Sequence, residues 1–182
     1  MASFIFKEVL NDLMDYFLLS DLNNLLAYKS EQHLSDDLIH EFTTNQSGDD
    51  VVQQGVMIAL AGIDNLPYTI LVKTENEKSE FTAQQHRLIH CQSGYVLQVK
   101  HKQIRLFTMP YLKKFTVFTL DKIEQLKTVK INLENGWYTV NIYAGFLQIS
   151  GEEQACIEFI LEHVDQQPLF QANIQYMYHL EN

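Results

Sequence analysis

The densest group of ligand-type side chains is His86, His90 and Cys91, in the run H-R-L-I-H-C. On a helix, His86 and His90 would lie one turn apart and could share a zinc ion. On a strand they share a face but stand roughly 13 Å apart, too far for one metal. The local pattern reads as strand, Cys91 then faces away from both, and no second Cys/His cluster completes four ligands. Structural histidines and no metal or cofactor are the expectation. A nucleophile pair could combine Cys91 or Cys156 with His101 or His163. A reactive thiol needs an electropositive niche, and Cys156 lies among Glu152, Glu153 and Glu158 instead. Small core cysteines are the simpler reading. The carboxylate pairs Asp36-Asp37, Asp49-Asp50 and Glu152-Glu153 fall in segments expected to be caps and loops. Solvent there keeps a carboxylate ordinary, whereas general acid–base work needs a buried one beside a cleft. They read as solvated faces first and partner contacts second.

Other catalytic signatures are missing. The chain has no phosphate-binding glycine loop of either common spacing and no G-x-S-x-G elbow. Lys100, Lys102, Arg105, Lys113 and Lys114 interleave with Phe107, Tyr111 and Phe115, a mixture that can bind single strands. Strand alternation explains the same pattern, and acidic flanks oppose nucleic acid. Net charge is −10, unevenly spread. Residues 1–50 hold ten acids against two lysines, and residues 51–150 hold eleven bases against seven acids. Residues 151–182 hold six acids and no Lys or Arg. On average such a chain repels nucleic acid and anionic lipid and attracts a basic protein.

The elements that must position these residues follow from periodicity. Hydrophobic residues make up 46% and charged ones 20%, which suits a folded domain with a real core. Phe6, Val9, Leu10, Leu13 and Phe17 recur at helical spacing, so residues 4–29 read as helix, with a second short helix from Ser20 to Tyr28. A third helix is expected from a cap at Ser35 to about Phe42. Polar Thr43–Asp50 reads as the boundary between a helical segment, 1–45, and a β domain with a C-terminal extension, 46–182, the two expected to form one compact unit. Strand-length pieces follow at Val56–Ala61, Tyr68–Lys73, His86–Gln92, Tyr95–Lys100, Gln103–Thr108 and Phe115–Leu120. Asn135-Gly136 between the alternating runs Thr128–Leu133 and Trp137–Tyr143 is the strongest local signal, and predicts a tight hairpin. Residues 151–167 fit a capped helix or a strand with one wet face. Alternation of Ile157, Phe159 and Leu161 with Glu158 and Glu162 favours strand. The tail from Leu169 is too apolar to be free and should pack on the domain or on a partner. The fold class expected is α+β: N-terminal helices, then a mainly antiparallel, β-sandwich-like body.

No positive n-region opens the chain, and charges interrupt the apolar stretch from Phe4 to Leu26, so neither a secretory signal nor a membrane span is expected. With only Cys91 and Cys156, two free thiols in a reducing compartment are expected, and a cytoplasmic location with them.

Leu133–Val164, LENGWYTVNIYAGFLQISGEEQACIEFILEHV, resembles the C-terminal half of a group of bacterial β-sandwich proteins: the competence-associated nuclease inhibitor and related immunity proteins of polymorphic toxin systems. Those run as turn-Gly, an aromatic, an alternating strand, an acidic loop and an I-E-F-x-L strand, here Gly136, Tyr138–Tyr143, Gly145–Gln154 and Ile157–Leu161. The earlier strands His86–Met109 and Phe115–Leu120 fit the same order, so the likeness covers about half the chain. Glu162-His163-Val164 stands where that group has tryptophan-proline, and the first 45 residues have no counterpart. The resemblance implies stoichiometric inhibition without catalysis: the chain would bind and neutralise a cognate toxin, a nuclease among the candidates, or another basic protein. An acidic inhibitor can imitate the phosphate backbone a nuclease holds. Asp36, Asp37, Asp49, Asp50, Glu152 and Glu153 are then the contact candidates, with Trp137, Tyr138 and Tyr143 as aromatic anchors. A non-catalytic adaptor or assembly subunit, homodimeric forms included, is the alternative, and an enzyme with an unrecognised site the third class.

Overall fold

The structure is a computed structural model and describes residues 2–6, 15–74, 77–83, 85–125 and 130–180. Its strands are β1 (Ala2–Phe6), β2 (Tyr16–Ser20), β3 (Met57–Ala61), β4 (Tyr68–Thr74), β5 (Arg87–Val99), β6 (Gln103–Thr108), β7 (Lys130–Asn132), β8 (Gly136–Ile149) and β9 (Glu152–Val164). The helices are α1 (Leu22–Glu31), α2 (Leu38–Thr44), α3 (Ser47–Gln53) and α4 (Val117–Gln125). One sheet runs β1-β4-β9-β8-β5 and the other β3-β2-β6-β7. Among the described strands, the pairings are antiparallel except β4 with β9. The fold is α+β, with N-terminal helices followed by a sheet-rich body.

Both sheets and the helices contribute to one hydrophobic core. Phe17 of β2 meets Tyr68 of β4 edge to face, centroids 5.3 Å apart. Leu25, Leu38 and Val51 from the three helices are buried in the same cluster as Ile58, Val140 and Phe159 from the sheets. The apolar run Tyr16–Leu19 is buried on both faces, as an interior strand demands, and β2 pairs with both β3 and β6.

The helix expected over residues 4–29 is corrected here. Phe6 and Phe17 lie in strands; Val9, Leu10 and Leu13 lie outside the described residues. Helix begins only after Asp21, whose carboxylate caps α1 by accepting from the N–H groups of Asn23 and Asn24 at 3.1 and 3.2 Å. Asp37, not Ser35, caps α2 by accepting from His40 N–H. Thr43–Asp50 holds the end of α2 and the start of α3 rather than an open turn. The two pieces expected at His86–Gln92 and Tyr95–Lys100 are one strand with an irregularity between Gln92 and Tyr95. Phe115–Leu120, expected as strand, belongs mostly to α4, which buries Leu120 and Ile123 at helical spacing.

The Asn135-Gly136 hairpin does not form. β7 pairs with β6, and β8 pairs with β5 and β9, so the two runs lie in different sheets. The Asn135 side chain accepts from Lys102 N–H at 2.8 Å and Leu133 N–H donates to Lys102 O at 3.0 Å. The chain therefore turns a corner between sheets at this point. Gly136 is needed because a Cβ there would fall 2.2 Å from the His163 imidazole. The hairpin that does form joins β8 to β9 through Ser150 and Gly151, with φ of 55° and 90°. That matches the positive φ which a two-residue turn requires at both positions. Residues 152–164 are strand, as alternation indicated.

The C-terminal segment docks on the body. Its Gln171 and Ala172 N–H groups donate to Gly94 O on β5, and Tyr178 N–H donates to Ala61 O on β3. β5 and β3 are the edge strands of their sheets, so the segment closes one open side of the sandwich. A clasp fixes its end. His90 meets the Tyr176 hydroxyl at 2.9 Å and His179 O at 2.6 Å. Asp64 accepts from Leu180 N–H at 2.6 Å and meets His179 Nδ1 at 3.1 Å.

Candidate functional site

Asp36, Asp37, Asp49 and Asp50 lie in the helical segment α1–α3, where short helices take acidic caps and first turns. Buried Asp21 anchors the start of that segment. Beyond capping α1, it accepts from the N–H groups of Lys100 and His101 at 2.9 and 2.8 Å and meets His101 Nδ1 at 3.0 Å. One carboxylate thus ties the start of α1 to the turn between β5 and β6. At the other end of α1, Lys29 Nζ donates to Phe115 O at 2.8 Å and pairs with Asp36. Asp37 sits beside it as the α2 cap. Asp49 and Asp50 are exposed in the first turn of α3, where the helix dipole favours them. Burial first, then the charge of Asp50, holds the Tyr28 phenol of α1 above its usual pKa. These four acids all lie in the helical segment between β2 and β3.

The remaining candidates divide. Trp137 is half-buried on β8, and its ring lies where a side chain on Gly55, just after α3, would be, so it borders the helical cap. Tyr138 is buried, donates to Glu134 O at 2.8 Å and meets the His163 ring edge to face. Tyr143 is half-buried in mid-strand beside a small second cluster of Leu71, Phe81, Leu147 and Cys156. Glu152 and Glu153 open β9, at the opposite end of the β8–β9 pair from Trp137. Strand rise puts that end roughly 35 Å from Trp137. Arg87 holds Glu153 through Nε and Nη2 at 3.3 and 3.0 Å and lies over the Phe146 ring. This guanidinium draws the Glu153 carboxyl below its usual range.

The histidines and thiols are dispersed. His86 Nδ1 accepts from Gln148 N–H, while His90 belongs to the C-terminal clasp. Cys91 is exposed and Cys156 is buried, both as free thiols. Burial, with the Glu158 charge second, pushes the Cys156 thiol up, which suits packing and opposes thiolate chemistry. Among the described residues no three His, Cys, Asp or Glu side chains are grouped to hold a metal. Among them, too, no helix is long and apolar enough to cross a membrane.

A buried charge cluster escaped the sequence reading. Glu158 is 0% exposed and Lys73 3%, with Lys73 Nζ 2.9 Å from Glu158 Oε1. Ser79 Oγ and Glu80 N–H also donate to Glu158, at 2.5 and 3.1 Å, and Lys73 bonds Lys78 O and Glu80. These contacts pin residues Lys78–Glu80 against the sheet and seat Phe81 on the second cluster. A cavity of about 360 Å³ beside them is lined by Ser79, Phe81, Leu88, Asn141, Tyr143 and Ile160. A wider one of about 700 Å³ opens at the other end, over a floor of Leu133, Tyr138 and Leu161. The walls of the wider one also carry Thr74, Lys102, Glu134 and His163. No family model, curated protein or solved structure matches this chain.

Proposed function

We propose that the chain is a stoichiometric binding protein that meets a basic protein through its acidic helical cap, in the role of an inhibitor or immunity protein against a toxin. The observation that carries this reading is that α3 presents Asp49 and Asp50, both exposed, in one turn of the same helical segment that holds Asp36 and Asp37. Charge of one sign on a compact surface accelerates encounter with an opposite surface and rejects like-charged competitors. Trp137 at the border of the cap supplies an aromatic of the kind that anchors such contacts. The identity of the partner as a toxin rests on the resemblance of Leu133–Val164 alone.

The test is co-expression with the product of the adjacent gene, followed by pull-down and growth rescue. Asp49→Lys with Asp50→Lys is expected to weaken the complex by about tenfold or more while the domain stays folded. Glu152→Lys with Glu153→Lys, at the far end, leaves affinity unchanged. Absence of both binding and rescue for the unaltered chain removes the toxin reading. Binding that is indifferent to the α3 reversal removes the helical cap as the contact.

A further inference from the structure

A cavity of about 130 Å³ lies between the second sheet and the helices α2 and α3. Phe17 points at Tyr68 of the opposite sheet, so its neighbours Tyr16 and Leu18 point the other way, toward the helices. Ala59 of β3 pairs with Leu18 and faces the same way, as Met57 does. The cavity exists because an alanine stands there: the room a leucine would take beside Leu18 is left unfilled. Ala59 is accordingly half-buried in mid-strand, while Ile58 and Leu60 on either side are buried. Phe42 of α2, Met109 after β6 and Ile174 of the C-terminal segment complete the walls. Among the described residues that line it, Asp49 alone carries a charge. Asp49 stands one turn before Val52 on α3, and buried Val52 lines the same cavity, so the carboxylate is on the cavity side of the helix. Asp49 itself is exposed, which puts it at the mouth, and it forms no ion pair among the described residues.

We infer that this slot receives a basic side chain of the partner, a lysine or arginine, with its aliphatic stem along Leu18, Met57 and Ala59 and its cationic head on Asp49. The inference rests on the proposed function for the existence of a basic partner, and goes further by naming the receptacle. The slot has two parts, an apolar shaft and an acidic mouth. An anion would meet Asp49 with no cation in the lining to answer it. A neutral hydrocarbon would fill the shaft but gain nothing from the carboxylate. Lysine and arginine carry both parts, three or four methylenes and a terminal charge. The rings of Tyr16 and Phe42 in the lining attract a cation further. The thioethers of Met57 and Met109 let the walls adjust to stems of different shape. Asp49 thus acts at contact range on one inserted residue, which a solvated acid on an open surface does not.

The experiment titrates the full chain with n-butylguanidinium and n-butylammonium, and with valerate as the anionic counterpart, followed by amide and methyl NMR. The expected result is saturable shifts at Leu18, Met57 and Ala59 with both cations, at a Kd on the order of 10 mM for ligands this small, and none with valerate. Ala59→Leu fills the shaft and Asp49→Asn neutralises the mouth; each weakens cation binding about fivefold or more. Glu152→Gln, the same change of net charge at a distant site, leaves it unaltered. Asp49 is exposed, so Asp49→Asn keeps the parent melting temperature and carries the test even where Ala59→Leu does not fold. In pull-down with the adjacent gene product, both slot variants weaken the complex. Saturable, Asp49-dependent cation binding supports the inference even where that gene product does not bind, an outcome that sinks only the toxin reading. A complex indifferent to both slot variants overturns the inference and leaves the proposed function standing. Absence of saturable cation shifts, binding of valerate as strong as that of the cations, or an equal loss from Glu152→Gln also overturns it.

Discussion

Removing the Glu158 carboxylate should be among the most damaging single changes in the molecule. Glu158→Ala leaves the Lys73 ammonium inside the protein with only Glu80, itself partly solvated, to answer it. Breaking one side of a buried pair typically costs 3–5 kcal/mol. Survival of the Glu80 contact places this case near the lower end, about 3 kcal/mol, and the orphaned donors Ser79 Oγ and Glu80 N–H hold it there. For a domain of this size that corresponds to a fall in Tm of roughly 6–12 °C. Urea denaturation gives the free energy directly. A double-mutant cycle with Lys73→Met and Glu158→Leu then separates the pair from its surroundings. The double variant should recover part of the loss, because two apolar chains replace two charges, but not all of it, because Ser79 and Glu80 still lack their acceptor. A Glu158→Ala cost below about 1 kcal/mol would refute the reasoning. It would mean that water reaches Lys73, and that the strap over the second cluster contributes little.

Other perturbations follow from the same contacts. Asp21→Ala strips the cap from α1 and the acceptor from Lys100 and His101, and should cost about 3 kcal/mol by urea denaturation, with Asp21→Asn restoring part of it. Gly94→Val places a side chain 2.8 Å from the Gln171 backbone at a φ of 87°, and should release the C-terminal segment, seen as faster amide exchange and early proteolysis after Val164. Raised pKa values at buried Tyr95, Tyr178 and Cys156 mean that the unfolded chain loses these protons before the folded one does. Their contribution is therefore complete below the ordinary thiol and phenol values of about 9 and 10 and is lost as pH rises beyond them, so Tm should fall from about pH 9 upward. A Tm flat to pH 11 would contradict that burial.

Legibility in the sequence followed the range of the determining contact. Alternation identified Trp137–Tyr143 of β8, and alternation with β-branched and aromatic density and the family resemblance favoured strand for β9; Tyr138, Val140 and Ile142 face the core at period two, as Ile157, Phe159 and Leu161 do. It could not choose partners. Asn135-Gly136 has the composition of a hairpin turn, yet β6 offers the edge on which β7 pairs, and the Asn135 side chain is spent on Lys102. The first helix misled for a related reason. Tyr16–Leu19 is buried on both faces, so its run of apolar residues reads equally as strand or helix until β3 and β6 are known to flank it. The ends of α1 and α2 were legible to within a few residues because capping is local, whereas α3 read as a polar boundary and α4 as strand. The Lys73–Glu158 pair was not, because those residues lie far apart in sequence and meet only through the parallel register of β4 with β9. Helix α4 was hidden by reading its segment as strand; one more turn of sequence, to Ile123, shows the helical spacing.

The two acidic blocks cannot both serve one ordinary contact, and this decides how the charge is to be understood. A standard interface takes about 800 Å² from each partner, a patch about 30 Å across, with its energy concentrated near the middle. Glu152 and Glu153 stand roughly 35 Å along β8 from Trp137, and α1–α3 lie at the Trp137 end. A contact centred between them would fall on the middle of the sheet, around Tyr143 and Asn141, far from either group of carboxylates. Net charge of −10 still draws a basic protein from a distance, because long-range attraction sums both ends. At contact range only one end can act. The β8–β9 tip has an Arg on its acid, whereas α3 presents two exposed carboxylates in one turn, so the helical end is where a reversal of charge should be felt. Equal losses from reversing either end would require a partner that wraps the molecule, with an interface well above the ordinary size.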